Sequence, residues 1–260
     1  MNNKESAALI SEKLRLRSFP VAVKFLKKGE SFPEKTKRPS QMLKKRVAIC
    51  QAVSMARLYG WVIGLTREDV ICVPGSLAFG FSTMSDAAAG IARLFCDGAY
   101  SASPEAGRKE ADSIQKLEKD EYESIVLAPL ARADFQPDTV AIYGNPAQVM
   151  RLVQAYTCAA GERVTGNFGG KIECSEYLIA PFKLNAPRVA IPGMGDRVFS
   201  MTQDDELVFS LPGGSLPQVI KGLGEAGSRV GAQYPVPFYL NFEPEFPKAF
   251  KILGQEIGIL

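Results

Sequence analysis

Apolar residues in this chain come in short runs, some spaced as on a helix and some alternating, with proline and glycine between them. Lys4–Leu16 has helical spacing: Ala8, Ile10, Leu14 and Leu16 sit among charges, and Ser18-Phe19-Pro20 ends the run. Val21–Leu26 alternates loosely and is rich in β-formers, which predicts a strand with Lys24 on its solvent side beside Ala22 and Leu26. Lys27–Ser40 is polar and holds proline, hence a loop. Gln41–Tyr59 returns to helical spacing, with Ile49, Ala52, Val53 and Ala56 as its stripe and Gly60 as C-cap. Glu68–Pro74, built on Val70-Ile71-Cys72-Val73, reads as a strand stopped by Pro74-Gly75. Asp86–Phe95 is an alanine-rich helix behind Ser85, and Pro104–Tyr122 a charged surface helix.

The second half alternates in the same way. Ser124–Leu130 and Asp138–Tyr143 are strands, and Gly144-Asn145-Pro146 turns the latter into a helix over Ala147–Tyr156. Thr165–Gly170 is a glycine-rich loop and Cys174–Ile179 a short helix. Arg188–Ile191 and Glu206–Leu211 are strands, each followed by Pro-Gly, and Leu216–Leu223 is a helix. The aromatic, proline-rich tail from Tyr234 reads as an irregular cover. Strands alternating with helices predict an α/β or α+β fold: one domain with a mixed sheet flanked by helices.

Two internal echoes suggest pseudo-repeated halves, about 1–135 and 136–260, around a shared cleft. Val73-Pro74-Gly75 and Ile191-Pro192-Gly193 each lie downstream of a cysteine, Cys50 and Cys174. Strand, turn and helix also recur at Val140–Tyr156 and Leu207–Leu223, with Gln-Val early in each helix. Any alternating α/β chain repeats that second pattern, so both readings stand.

Composition narrows the chemistry. With 46% hydrophobic and 23% charged residues over 260 positions, the chain can bury a core without a disulfide or metal staple. The net charge of +3 is spread out, and the one basic run, Lys35–Lys45, reads as a solvated loop; no nucleic-acid groove is expected. No run is long and apolar enough to span a membrane, and Met1–Lys13 lacks the apolar core of a signal peptide. Five widely spaced cysteines, an odd number, predict reduced thiols and a cytoplasmic setting. The chain has no histidine, which excludes Ser-His-Asp and Cys-His couples and any histidine-held zinc or haem.

Candidate chemistry therefore falls to cysteine, carboxylate, lysine, arginine and backbone N–H. Cys50, Ser54 and Arg57 share a helix face, so the guanidinium, two turns away, would have to reach back to favour a thiolate. Cys72 and Cys174 sit at a strand end and behind a glycine-rich loop. Three converging thiolates would suit an iron–sulfur cluster or soft metal, although no C-x-x-C pair is present and buried cysteine also packs as a small hydrophobe. Cys96 and Cys158 lie among apolar residues and read as core. Gly193-Met194-Gly195-Asp196-Arg197 could orient an anion, or could be a tight turn closed by an Asp–Arg pair. Asn145 caps a helix whose N-terminus could also hold an anion.

Pro20-Val21-Ala22-Val23-Lys24, Cys50-Gln51-Ala52-Val53 with Ala56-Arg57 and Gly60, Cys72 before its glycine turn, Asn145-Pro146-Ala147, Cys174 and Gly195-Asp196-Arg197 together resemble an uncharacterised family of archaea and bacteria. It is the domain of unknown function numbered 169, also labelled ArCR, and the resemblance runs from about Leu9 to Gly227. The resemblance implies no reaction. It does single out Cys50, Cys72 and Cys174, and the many anaerobes among its carriers would suit an oxygen-sensitive cluster.

Three readings follow. In the first, Cys50, Cys72 and Cys174 hold an iron–sulfur cluster or soft metal in a cleft, and Arg57, Asp196 and Arg197 line its open side toward an anionic substrate or redox partner. In the second, a metal-free enzyme or binder grips a small anionic ligand with the Gly195-Asp196-Arg197 loop and Asn145, one cysteine serving as nucleophile. In the third, a non-catalytic assembly protein uses the tail Tyr234–Phe250 to form a homo-oligomer or to dock on a redox enzyme.

Overall fold

The structure is a computed structural model and describes residues 1–236 and 245–260. Helix α1 (Asn3–Leu14) opens with a capping box between Asn2 and Glu5 and ends where Arg15 turns left-handed. Strand β1 (Val21–Leu26) follows, then α2 (Pro39–Met42), α3 (Ile49–Tyr59), β2 (Ile63–Thr66), α4 (Val73–Ala78), α5 (Ala87–Asp97), α6 (Pro104–Ser113) and β3 (Ser124–Pro129). The second half runs β4 (Thr139–Gly144), α7 (Pro146–Ala160), a π-helical turn (Ser175–Ile179) continuing into α8 (Ala180–Leu184), β5 (Arg188–Ala190), α9 (Met194–Phe199), β6 (Leu207–Pro212), α10 (Leu216–Glu225) and α11 (Lys248–Glu256).

The strands form one open sheet in the order β2-β3-β1-β4-β6-β5. The helix-flanked sheet of the α/β or α+β class is what the chain builds, but the sheet is not the mixed one expected, because every ladder is antiparallel. Parallel pairing is confined, among the described residues, to isolated bridges such as Val47 with Val70 and Thr165 with Arg188. Side chains alternate across the sheet with period two. Val21, Val23 and Phe25 join Leu65, Leu127 and Tyr143 on one face, beneath α3 and the π-helical turn. Ala22, Val140, Ile142 and Phe209 face the other way, beneath α1, α7 and α10. Helices α4, α5 and α6 close a smaller cluster around Leu77, Ile91, Phe95 and Ala111.

Exchanging β1, β2 and β3 for β4, β5 and β6 leaves the strand order unchanged. Under that exchange α3 corresponds to the π-helical turn and α4 to α9, so the Cys50/Pro74 and Cys174/Pro192 segments occupy matching places. The second echo does not match, because it would equate β4 with its own neighbour β6.

Several elements depart from expectation. The strand sits at Ile63–Thr66 and not at Glu68–Pro74. Buried Asp69 turns the chain there, accepting hydrogen bonds from Thr66 N at 3.0 Å, Ser40 N at 3.1 Å and the Arg38 guanidinium at 2.7 Å. This leaves Val70 one bridge and makes Cys72 an N-cap, with Pro74 inside the first turn of α4. The helix expected over Gln41–Tyr59 is divided, because Lys44 takes a positive φ and Val47 leaves to pair with Val70. The helix from Pro104 stops at Ser113, after which Leu117 N bonds to Ala78 O at 2.9 Å. Lys24, expected in solvent, is half-buried and paired with Asp138 at 3.0 Å. The tail is partly helical at α11, and residues 237–244 of it lie outside the described residues.

Candidate functional site: a pocket bearing three thiols

Where α3, α4, the Cys174 turn and α9 begin, their ends surround a cavity of about 560 Å³. Each start has a local cause. Gln51 closes back on Ala48 N at 2.8 Å to begin α3. The Cys72 sulfur accepts from Gly75 N at 3.4 Å to begin α4. Glu173, just before Cys174, ties down the glycine-rich loop, its Oε1 accepting from Gly169 N at 2.7 Å and Gly170 N at 2.6 Å. Asp196 Oδ2 accepts from Gly193 N at 3.2 Å to begin α9. Gly193 must be glycine: a Cβ there would lie 2.8 Å from the Gly170 carbonyl oxygen.

Cys50, Cys72 and Cys174 all line this cavity, with Asp196, Glu173 and Lys171. Most of the remaining wall is hydrocarbon from Ile71, Val73, Leu94, Phe95, Ile172, Met194 and Phe199. All five cysteines are free thiols: Cys50 and Cys174 are buried, Cys72 and Cys96 are half-exposed, and Cys158, expected in the core, is exposed on α7. Burial pushes the Cys50 thiol up to about 12, with nearby Asp196 and Cys72 adding to the effect. Burial likewise raises Cys72 and carries Cys174 well above the usual thiol range, each with a contribution from Asp196. The three sulfurs therefore meet as neutral thiols, poor nucleophiles at neutral pH. Among the described residues, no group of three or more Cys, Asp or Glu side chains has the spacing of a metal cage.

Asp196 is almost fully buried, and burial raises its pKa against the opposing hydrogen bond from Tyr177, whose hydroxyl donates to Oδ1 at 2.5 Å. Burial also raises Glu173 to about 7. Lys171 is spoken for: its ammonium pairs with Glu110 and lies 4.6 Å from the Phe95 ring centroid.

The other expected site residues lie elsewhere. Arg57 is 1% exposed and faces away from the cavity, gripping Glu206 with bonds of 2.7 and 3.1 Å and stacking 4.1 Å from Tyr143. It neither lines an open side nor reaches Cys50, because two helical turns separate them and Glu206 answers its charge. Arg197 points out to Gln203 O at 2.8 Å, so the anticipated Asp196–Arg197 pair does not form. Asn145 caps α7, bonded with Gln148 at 2.9 Å and Tyr234 at 3.0 Å, away from the thiols. Glu173, Lys171 and Tyr177 were not singled out from sequence. The one local sign was that Glu173 and Tyr177 flank Cys174 at one and three residues.

An antiparallel sheet between two helical layers, with a thiol-bearing pocket at converging helix starts, defines an α+β protein with a small-molecule-sized cavity. The chain belongs to the family of uncharacterised ArCR proteins, domain of unknown function 169, which it matches over residues 9–222. It is 29% identical over 224 residues to an uncharacterised protein of Methanocaldococcus jannaschii, a match covering 86% of this chain and 92% of that one. No solved structure matches it. Among the described residues, no helix is long and apolar enough to cross a membrane.

Proposed function

We propose that this chain is a small-molecule-binding protein whose site is the thiol-bearing pocket. The cavity itself carries the reading: about 560 Å³, largely apolar, with three thiols and two buried carboxyl groups set in its wall. Ligand pockets commonly enclose roughly 300–1,000 Å³ and combine apolar walls with a few convergent polar groups. The matching ligand has an apolar body and a hydrogen-bonding group for Asp196 or Glu173. Arg197 and Asn145 face elsewhere and Lys171 is paired with Glu110, so among the described residues an anionic ligand meets no unpaired cation in this pocket. Helix starts from both halves of the chain meet at the cavity, α3 and α4 with the Cys174 turn and α9, as a duplication into halves of about 1–135 and 136–260 would leave them, while α5 adds Leu94 and Phe95 from the first half alone.

A second reading is favoured by one observation, that sulfurs from three separate elements reach the same cavity. Cys50, Cys72 and Cys174 would then close on a soft metal or an iron–sulfur cluster, each giving up its proton as it binds. A redox partner would belong to that reading.

The test is titration of the native protein with the uncharged apolar dye Nile red, followed by fluorescence. A saturable rise is expected, and Val198→Trp, whose indole would intrude on the cavity from its exposed rim, should weaken it several-fold with little change in melting temperature. Equal enhancement in the variant sinks the binding reading. The second reading is tested by anaerobic reconstitution with ferrous iron and sulfide. It expects broad visible absorption that Cys174→Ser removes, and a colourless product overturns it.

A further inference from the structure

The chain buries two arginines to nearly the same depth, and they are treated differently. Arg57, 1% exposed, is answered by Glu206. Arg151 on α7, 4% exposed, meets no carboxylate in any ion pair of the described residues. Its Nη1 donates to Gln154 Oε1 at 2.6 Å and its Nη2 to Ala226 O at 3.1 Å. A guanidinium has five N–H groups, and none of Arg151's nitrogens is both sealed from solvent and unpartnered. Nε, which has no partner among the described residues, is therefore not sealed from solvent and remains a reachable donor. A buried cation without a counter-charge is costly and calls for an anion from outside the chain.

Arg151 lines a second cavity, of about 420 Å³, between the ends of α1 and α10 and the loop that follows α10, in the helical layer on the other side of the sheet from the thiols. Lys13 and Arg15, at the end of α1, line it too, and neither takes part in an ion pair of the described residues. Glu12 is the one carboxylate in the lining, which otherwise includes Ser228, Gln233 and Tyr234. The cationic corner is held in place from α7: Gln148 Nε2 donates to Leu14 O at 2.8 Å and Arg15 O at 3.3 Å, fixing the left-handed turn at Arg15.

We propose that this cavity binds the oxyanion group, phosphate or carboxylate, of a small polar molecule. Arg151 offers such a group its charge and its free Nε–H, and Lys13 and Arg15, exposed on the rim, add two further cations. The proposal is independent of whatever the thiol pocket holds.

Thermal melting in inorganic phosphate and, separately, in malonate tests it, with ionic strength held constant by chloride. At least one anion should raise the melting temperature saturably beyond the chloride control, as a ligand bound only to the folded state does. Phosphate alone or malonate alone would identify the source of the group. Arg151→Gln should abolish the shift. Because a change at a buried position can also disturb folding, Arg15→Gln on the surface is the second variant. It should keep the unliganded melting temperature and weaken apparent affinity several-fold. No saturable shift with either anion overturns the proposal, as does an undiminished response in both variants.

Discussion

Glu173 shows what one buried carboxyl does to the whole protein. Its raised pKa of about 7, against an ordinary 4.5, reflects burial opposed by the N–H groups of Gly169 and Gly170, with Glu176 and Asp196 adding repulsion. Between those two values the folded chain keeps a proton that the unfolded chain has released. Stability therefore declines as pH rises across that window, and the penalty is complete above about 7. Glu173→Gln retains an oxygen for the two glycine N–H groups and removes the ionisation. Urea unfolding should show the variant gaining on the parent as pH rises through the window, by up to about 3 kcal/mol. Parallel pH profiles for the two proteins would contradict this. At this scale the sequence is uneven as a guide. Cysteine and aspartate were legible as candidates because their chemistry is intrinsic. Arg57 misled because its role depends on Glu206, which is 149 positions away.

Elements were read best where the signal is local. Asn145-Pro146 reads as a helix start in sequence and caps α7, where Gln148 completes a capping box. The stripe Ile49, Ala52, Val53 and Ala56 does bury one side of α3. The run Val70-Ile71-Cys72-Val73 failed because strand character needs a neighbouring strand, and Asp69 directs the chain elsewhere. Helix contact has equally strict local demands. Helix α10 lies so close to α7 that a Cβ on Gly222 would run into the Ala155 carbonyl oxygen. Gly222→Ala should cost about 1–3 kcal/mol through overpacking, measured as a lower urea midpoint. Gly224→Ala, two residues on, meets nothing within 4 Å and should be neutral or slightly stabilising, as alanine for glycine in a helix usually is. Equal effects at the two positions would show that α10 does not sit against α7 as described.

At the scale of the whole molecule, the sheet carries two sets of helix starts to one cavity, α3 and α4 from the first half and the Cys174 turn and α9 from the second. This placement orders the thiols by access. In native protein treated with iodoacetamide, mass spectrometry should find Cys158 alkylated first, Cys72 and Cys96 more slowly, and Cys50 and Cys174 last. Cys174 reacting as fast as Cys158 would mean that it is not buried at the pocket. The amino-acid sequence by itself determined the Gly60 and Asn145 caps, the period-two alternation, the class of fold and the three cysteines worth following, because each depends on residues a few positions apart, whereas the cap of α5 is Asp86 and not the expected Ser85. Tertiary structure decided that the ladders run antiparallel, that Cys72 starts a helix, that Arg57 spends its charge on Glu206 while Arg151 has no carboxylate, and that three thiols separated by 22 and 102 positions share one space. Those outcomes depend on which distant segments become neighbours, and pairing across the sheet sets that only once the chain is packed.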